Sequence, residues 1–293
     1  MRRSNDTLGL LLGLVGVLIF GATLPFTRIA VGWLDPWFVT AGRAALAGLV
    51  AVVLLALLRR PVPTREELGR YALVALLLAG GFPGFTGFAM RLVPASHGGV
   101  VLGILPLATA AVGALVTRER PSLQFWICAV LGAAIVVAFA LRDGGGRVDA
   151  GDMLLAGAVL SAAFGYVVSA QLARQRPGWE VISWVVVIAL PVTLPVTLLT
   201  APSHPLDVPG KAWLSFAYLG LMSQYLGFFA WNAGLAMGGV ARVSQVQLLQ
   251  TFVTLAVAAL LQGEQVDIVT WLSAVAVVVV VMIGRRARVS RPG

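Results

Sequence analysis

Ala114-Leu115-Val116-Thr117-Arg118-Glu119 closes one apolar run, and Trp126 opens the next. Ala259-Leu260-Leu261-Gln262-Gly263-Glu264 and Trp271 repeat this setting 145 residues later, an offset shared by the pairs Glu119/Glu264 and Trp126/Trp271. In a chain of 293 residues, such a self-match predicts two copies of one unit.

The composition says in what solvent the units fold. Hydrophobic residues make up 59% of the chain and charged residues 11%, against about 25% charged in soluble domains. This predicts an all-α integral membrane protein. The net charge of +9 is spread in short basic clusters between apolar runs, as orientation in a bilayer requires, so nucleic acid is not expected as a partner. The single cysteine, Cys128, excludes an internal disulfide and reads as a packing residue.

Apolar runs long enough to cross about 30 Å of hydrocarbon as helices fall near 8–30, 36–58, 69–91, 95–116, 121–141, 150–173, 178–199, 213–236, 240–262 and 267–284. Isolated strands cannot satisfy their backbone in lipid, so helix is expected throughout. The Gly-rich first run, followed by Pro25 and Arg28, lacks the pattern of a cleaved signal peptide. With the N-terminus in the cytoplasm, 15 of the 21 Lys and Arg residues fall inside, five outside, and Arg43 within a span. The expected location is the plasma (inner) membrane, multi-pass, with both termini cytoplasmic. The polar, Gly-rich loop Arg142–Asp149 divides the chain into repeats at 1–143 and 148–293. Five crossings per repeat is an odd number, so the second copy enters from the opposite side. The prediction is ten transmembrane helices in two inverted five-helix repeats, an arrangement suited to presenting one midplane site to either side.

The residues also carry a family resemblance over nearly the whole chain. Arg43 after Ala41-Gly42, Pro106 after Leu105, the Arg118-Glu119-Arg120 turn, Trp126 and Gly132, with Gly234, Glu264 and Trp271 in the second half, resemble the ten-helix EamA-type exporters of the drug/metabolite transporter superfamily. Two positions depart: Thr251 stands opposite Pro106, and Val277 opposite Gly132. The resemblance implies a cavity lined mainly by the first, third, fourth, sixth, eighth and ninth spans.

The sequence gives its own indications of where that cavity is polar. Gln247, Gln250, Thr251 and Thr254 recur at spacings of three, four and seven, on one face of the ninth span. Such a face must meet water or another helix, so it reads as cavity lining or as interhelical hydrogen bonding. Gln245 lies about 160° around the helix from Gln247 and is expected to pack. In the eighth span Gln224, Phe228 and Trp231 share a face, with Ser223 and Asn232 beside it, a composition that suits an amphipathic solute as well as packing. Tyr166 adds a polar group in the sixth span, and Thr23 and Thr27 add hydroxyls in the first. Gly81, Pro83 and Gly84 in the Gly-rich third span suggest a kinked gate, or close helix packing.

Four ionisable residues lie near the outer span ends. Arg28 and Arg91 are expected to extend to the interface. Arg43, about two turns into its span, either pairs with Asp35 or a backbone carbonyl, or meets an anionic group of the substrate. His97 could exchange protons near neutral pH, or be an interfacial residue. Glu119 and Glu264 are expected to cap turns or bond nearby backbone. No carboxylate falls in mid-span, so proton coupling, if present, has His97 or Glu264 as its route. No metal site, cofactor or nucleotide-binding loop is read from the sequence.

The expected function is a secondary transporter (exporter) of small metabolites, such as amino acids or amphipathic drug-like solutes, by alternating access through a central cavity. The alternatives are a channel or permeability scaffold, and an intramembrane enzyme, for which no catalytic constellation is visible. The expected partners are the small-molecule substrate and the lipid bilayer, with the protein a monomer or homodimer.

Overall fold

The computed structural model describes residues 2–117, 120–143, 145–238, 246–285 and 289–290. The expected turn at Arg118-Glu119, the role of Glu119 and the packing of Gln245 lie outside these.

The ten spans are α1 (Arg2–Gly21, continued as Thr23–Val31), α2 (Pro36–Leu57), α3 (Arg65–Leu92), α4 (Ala95–Leu102, continued as Leu105–Thr117) and α5 (Leu123–Asp143) in the first repeat. The second holds α6 (Ala150–Leu172), α7 (Gly178–Leu199), α8 (Gly210–Ala217 through Gly227–Gly238), α9 (Val246–Gln262) and α10 (Ile268–Arg285). The first seven are long and apolar enough to cross a bilayer. Local chemistry starts them. Asp35 accepts from the Trp37 amide ahead of α2, with Pro36 in the first turn. Thr64 and Glu67 form a reciprocal capping box at α3. Large apolar side chains such as Leu57, Leu76, Leu199 and Leu260 point outward, as a lipid-facing surface requires.

The two repeats are visible in the packing. Helix α1 packs on α8, and α6 on α3; α1 packs on α9, and α6 on α4; α2 meets α7, α4 meets α9, and α5 meets α10. Exchanging each helix with the one five places on turns this set into itself, which is the mark of a pseudo-two-fold axis. Close approach on that plan needs glycine: a Cβ on Gly234 would lie 2.6 Å from the backbone nitrogen of Gly13 across the α1–α8 contact. A two-residue antiparallel pairing, β1 (Arg120–Pro121) with β2 (Val289–Ser290), joins the start of α5 to the segment after α10.

Two spans carry a wider backbone coil. In α3 the stretch Ala75–Gly81 is π-helical, and in α8 so is Tyr218–Leu226. Adding 145 to 75 and 81 gives 220 and 226, inside the second stretch, so the irregularity belongs to the repeated unit. π-Turns cost hydrogen-bond geometry and persist mostly where function retains them. Gly81, Pro83 and Gly84 sit at the junction where α3 returns to α-helix, and Pro83 has no amide proton to contribute.

Candidate functional site

A partly open, polar-lined cavity lies between the repeats. The α9 stripe contributes Gln247, Gln250, Thr251 and Thr254; α8 contributes Ser223, Gln224 and Phe228; α6 contributes Tyr166 and α2 contributes Arg43. Phe20 and Thr23 of α1, Leu78 and Phe82 of α3 and Pro106 of α4 complete much of the wall. Helix α2, through Arg43, and α10, through Val278, join the six spans that the resemblance implied.

Hydrogen bonds across the repeats order this wall. Thr23 Oγ1 and Ser223 Oγ are 2.8 Å apart, and Arg43 donates from Nη2 to Ser223 Oγ at 2.9 Å. The Gln224 amide donates to the Leu78 carbonyl at 3.4 Å, which links the two π-helical segments directly. Thr254 donates to the Gly21 carbonyl at 2.7 Å, next to the break at Ala22 in α1. Thr254 thus serves packing as well as the wall, whereas the Gln247 and Gln250 side chains are only partly buried. Of the two pairings expected within the protein for Arg43, neither is made: Asp35 is engaged by Trp37 N at 2.7 Å, and the bond that Arg43 makes goes to a hydroxyl.

Trp231, Asn232 and His97 do not line the cavity. Trp231 lies against Gly16 of α1, and Asn232 against Gly178 at the start of α7, so the α8 face divides below Phe228 between cavity and helix contact. Gly81 faces Ser161, whose hydroxyl donates to the Leu77 carbonyl at 2.8 Å. Pro83 presents its carbonyl to Thr40 and Thr86, and Gly84 approaches Thr40. The gate expected of these glycines therefore coincides with the end of a π-turn. That feature depends on which carbonyl each amide finds and has no residue pattern of its own; only Gly80-Gly81 hinted at it. Phe20 and Phe82 also line the cavity; Phe20, an isolated aromatic in an apolar run, gives no sign of that in the sequence, and Phe82 stands in the Gly-rich stretch of the third span.

His97 sits in a separate cluster at the end of the molecule away from residue 2, here the distal end. Its Nδ1 is 2.9 Å from Asp143 and its Nε2 is 2.6 Å from Asp152. The triad ties the starts of α4 and α6 to the end of α5, under the ring of Phe139. The carboxylates engage opposite edges of the ring, so the three groups do not converge on a point where an ion could sit. Beside them, Gly263 in the left-handed conformation (φ 66°) ends α9. Glu264 then accepts from the amides of Ala95 and Ser96 at 2.8 and 2.9 Å. A carboxylate there neutralises the exposed amides and dipole of the α4 N-terminus, the backbone-bonding role expected of it. Arg28 pairs with Glu264 at 3.5 Å and donates to the carbonyls of Met90 and Val93; Arg91 donates to those of Val31 and Leu34. At these outer span ends, where both were expected to extend to the interface, the two arginines also satisfy the carbonyls at the ends of α1 and α3.

At the proximal end Arg176 bridges Glu67 at 3.1 Å and Glu180 at 2.8 Å, and Arg60 lies 5.0 Å above the Trp179 ring. Charged side chains with protein partners thus sit at both ends of the bundle, and amides, hydroxyls, aromatic rings and one guanidinium in its middle.

Comparison with known proteins agrees with this architecture. The model of the EamA-like transporter family matches residues 7–141 and again 149–284. The chain is 40% identical over 283 residues to the uncharacterized transporter YdeK of Bacillus subtilis (strain 168), covering 97% of this chain and 99% of that one. It is 28% identical to a probable amino-acid metabolite efflux pump of Salmonella typhimurium, over 86% of each chain. One crystal structure superposes with a TM-score of 0.63 over 95% of this chain and 98% of that one, at 20% identity, a likeness of fold alone. A five-span unit found twice by its family pattern, packed about a pseudo-two-fold axis around one polar cavity, places this multi-pass membrane protein plainly: it belongs to the EamA-like transporter family.

Proposed function

We propose that the protein is a secondary transporter that exports small amphipathic metabolites by alternating access through the central cavity. The observation that carries this reading is a cavity whose walls are drawn from both repeats, in a bundle whose helix contacts repeat between the two halves. Rocking of inverted repeats against each other would expose such a site to each side in turn. The paired π-helical segments support the same reading. They are equivalent in the repeats and meet through the bond from Gln224 to Leu78, so relaxing one toward α-helix would shift the wall without unfolding a span. Gly81, Pro83 and Gly84 would act as the gate, and Gln247, Gln250, Thr251, Gln224, Phe228 and Tyr166 would contact the solute. The placement of Lys and Arg supports a plasma-membrane orientation with both termini in the cytoplasm, so that the proximal end faces the cytoplasm.

The test is counterflow in proteoliposomes with labelled neutral, aromatic and anionic amino acids and one cationic dye, with and without a pH gradient. An alternating site exchanges labelled for unlabelled solute and saturates; a channel does not. Saturable exchange that is lost in Gln247→Ala, with normal insertion, is the expected result. Non-saturable flux would show a channel, and unchanged exchange in Gln247→Ala and Gln224→Ala together would displace the site from this cavity.

A further inference from the structure

The cavity holds a charge that the protein leaves without a counter-ion. Arg43 borders it at 3% exposure, its Nε has no hydrogen-bond partner, and the bond it makes goes to the neutral Ser223 hydroxyl, itself engaged with Thr23. Among the described residues no carboxylate pairs with the guanidinium, and the cavity lining contains no Asp or Glu. Nor does the lining contain another Lys, Arg or His.

A guanidinium keeps its charge, and a buried charge is retained in a membrane protein only where something compensates it. Its planar fork of donors matches a carboxylate in bidentate geometry. Resting on the transporter reading above, we infer that the solutes recognised in this cavity are small organic monoanions, whose carboxylate is bound by Arg43. A single cation balances a single negative charge, which favours a carboxylate over a phosphate dianion. The apolar body of such a solute lies against Phe20, Phe82 and Phe228, and its remaining polar atoms face the amides of Gln224, Gln247 and Gln250. A solute whose only charge is positive meets Arg43 and no carboxylate, and is rejected. An α-amino acid offers the carboxylate but brings an ammonium with no anionic partner in the lining, so it is taken less well than its N-acylated form.

Four probes with one body separate these cases: N-acetylphenylalaninate, N-acetylphenylalaninamide, phenylalanine and phenylalaninamide, with charges of −1, zero, zwitterionic and +1. Each is measured twice, as the ligand-induced rise in unfolding temperature of the purified protein in detergent and as a competitor for counterflow in proteoliposomes. The expected order places the anion first, at least about tenfold above the neutral amide, because a site built for a polar group strongly rejects the analogue that lacks it. Phenylalanine follows, and the cation is inert. Arg43→Gln is expected to unfold at the same or a higher temperature without ligand and to abolish the tenfold preference. Arg43→Lys keeps the charge without the fork, so it is expected to retain a reduced preference, and it carries the test if the glutamine variant does not fold. Equal or better binding of the amide or the cation in the wild type overturns the inference, as does an undiminished preference in Arg43→Gln or no binding of any probe. Anion binding without counterflow would leave the site standing and remove the transporter reading. Counterflow with no preference for the anion would do the reverse.

Discussion

Arg43 and His97 are both cationic or protonatable side chains, both about as buried as a core leucine, at 3% and 4% exposure, and both near the distal third of their helices. Their surroundings are opposite. His97 has a carboxylate on each ring nitrogen, from Asp143 and Asp152, and holds together the ends of three helices. Arg43 has a hydroxyl, two tyrosines in its neighbourhood and an open cavity. A charge compensated by the protein belongs to the fold, and its removal breaks the fold. A charge that the protein leaves uncompensated at a cavity is available to a solute, and its removal changes recognition more than stability. The sequence places Arg43 deeper in its span than His97 but does not show which of the two has a charged partner.

The largest effect expected from this contrast is on stability. Asp152→Ala leaves His97 one partner short in a buried position and removes the acceptor for the Asp149 amide, so a loss of about 3 kcal/mol is expected. Arg43→Gln should lose nothing comparable. Thermal and denaturant unfolding of both variants in the same detergent checks this, and equal losses would break the comparison by making Arg43 structural. Next comes Glu264→Ala, which removes the acceptor for two amides at the start of α4 together with the Arg28 pair; about 1–2 kcal/mol is expected, read as a lower unfolding temperature. Thr254→Val removes the α9–α1 bond to Gly21 while keeping the shape, at about 1 kcal/mol. It should leave substrate preference unchanged, since the Thr254 hydroxyl is already spent on carbonyls.

The smallest effect lies at the exposed rim. Asp267 has its carboxyl held well below the usual range, first by the Arg142 hydrogen bond and then by the hydroxyl and amide of Thr270. A depressed folded-state value means that its stabilising contribution is complete above the unfolded value, about 4, and is lost as the pH falls from there through the folded value. Asp267→Asn should therefore flatten the acid side of the stability profile slightly, and salt should erase most of the difference, because the pair is exposed. A large, salt-resistant effect would show that the rim is more tightly built than its exposure indicates.

Legibility followed the range of the physics. The α9 stripe was readable because Gln247, Gln250, Thr251 and Thr254 have to share a face in any helix, and all four border the cavity. The α8 face was only half readable: Gln224 and Phe228 reach the cavity, but one turn on Trp231 meets α1 and Asn232 meets α7. Helical periodicity gives the angle of a side chain and not the neighbour waiting at that depth.

The sequence by itself determined the membrane class, the ten spans, the repeat and the family, because each follows from hydropathy, from charge placement or from a self-match along one dimension. The tertiary structure alone decided which buried charge has a partner. Asp143 and Asp152 are 46 and 55 residues from His97, and Ser223 is 180 residues from Arg43. Charge compensation acts over a few ångströms in space, and ångströms between helices far apart along the chain are set only when those helices pack.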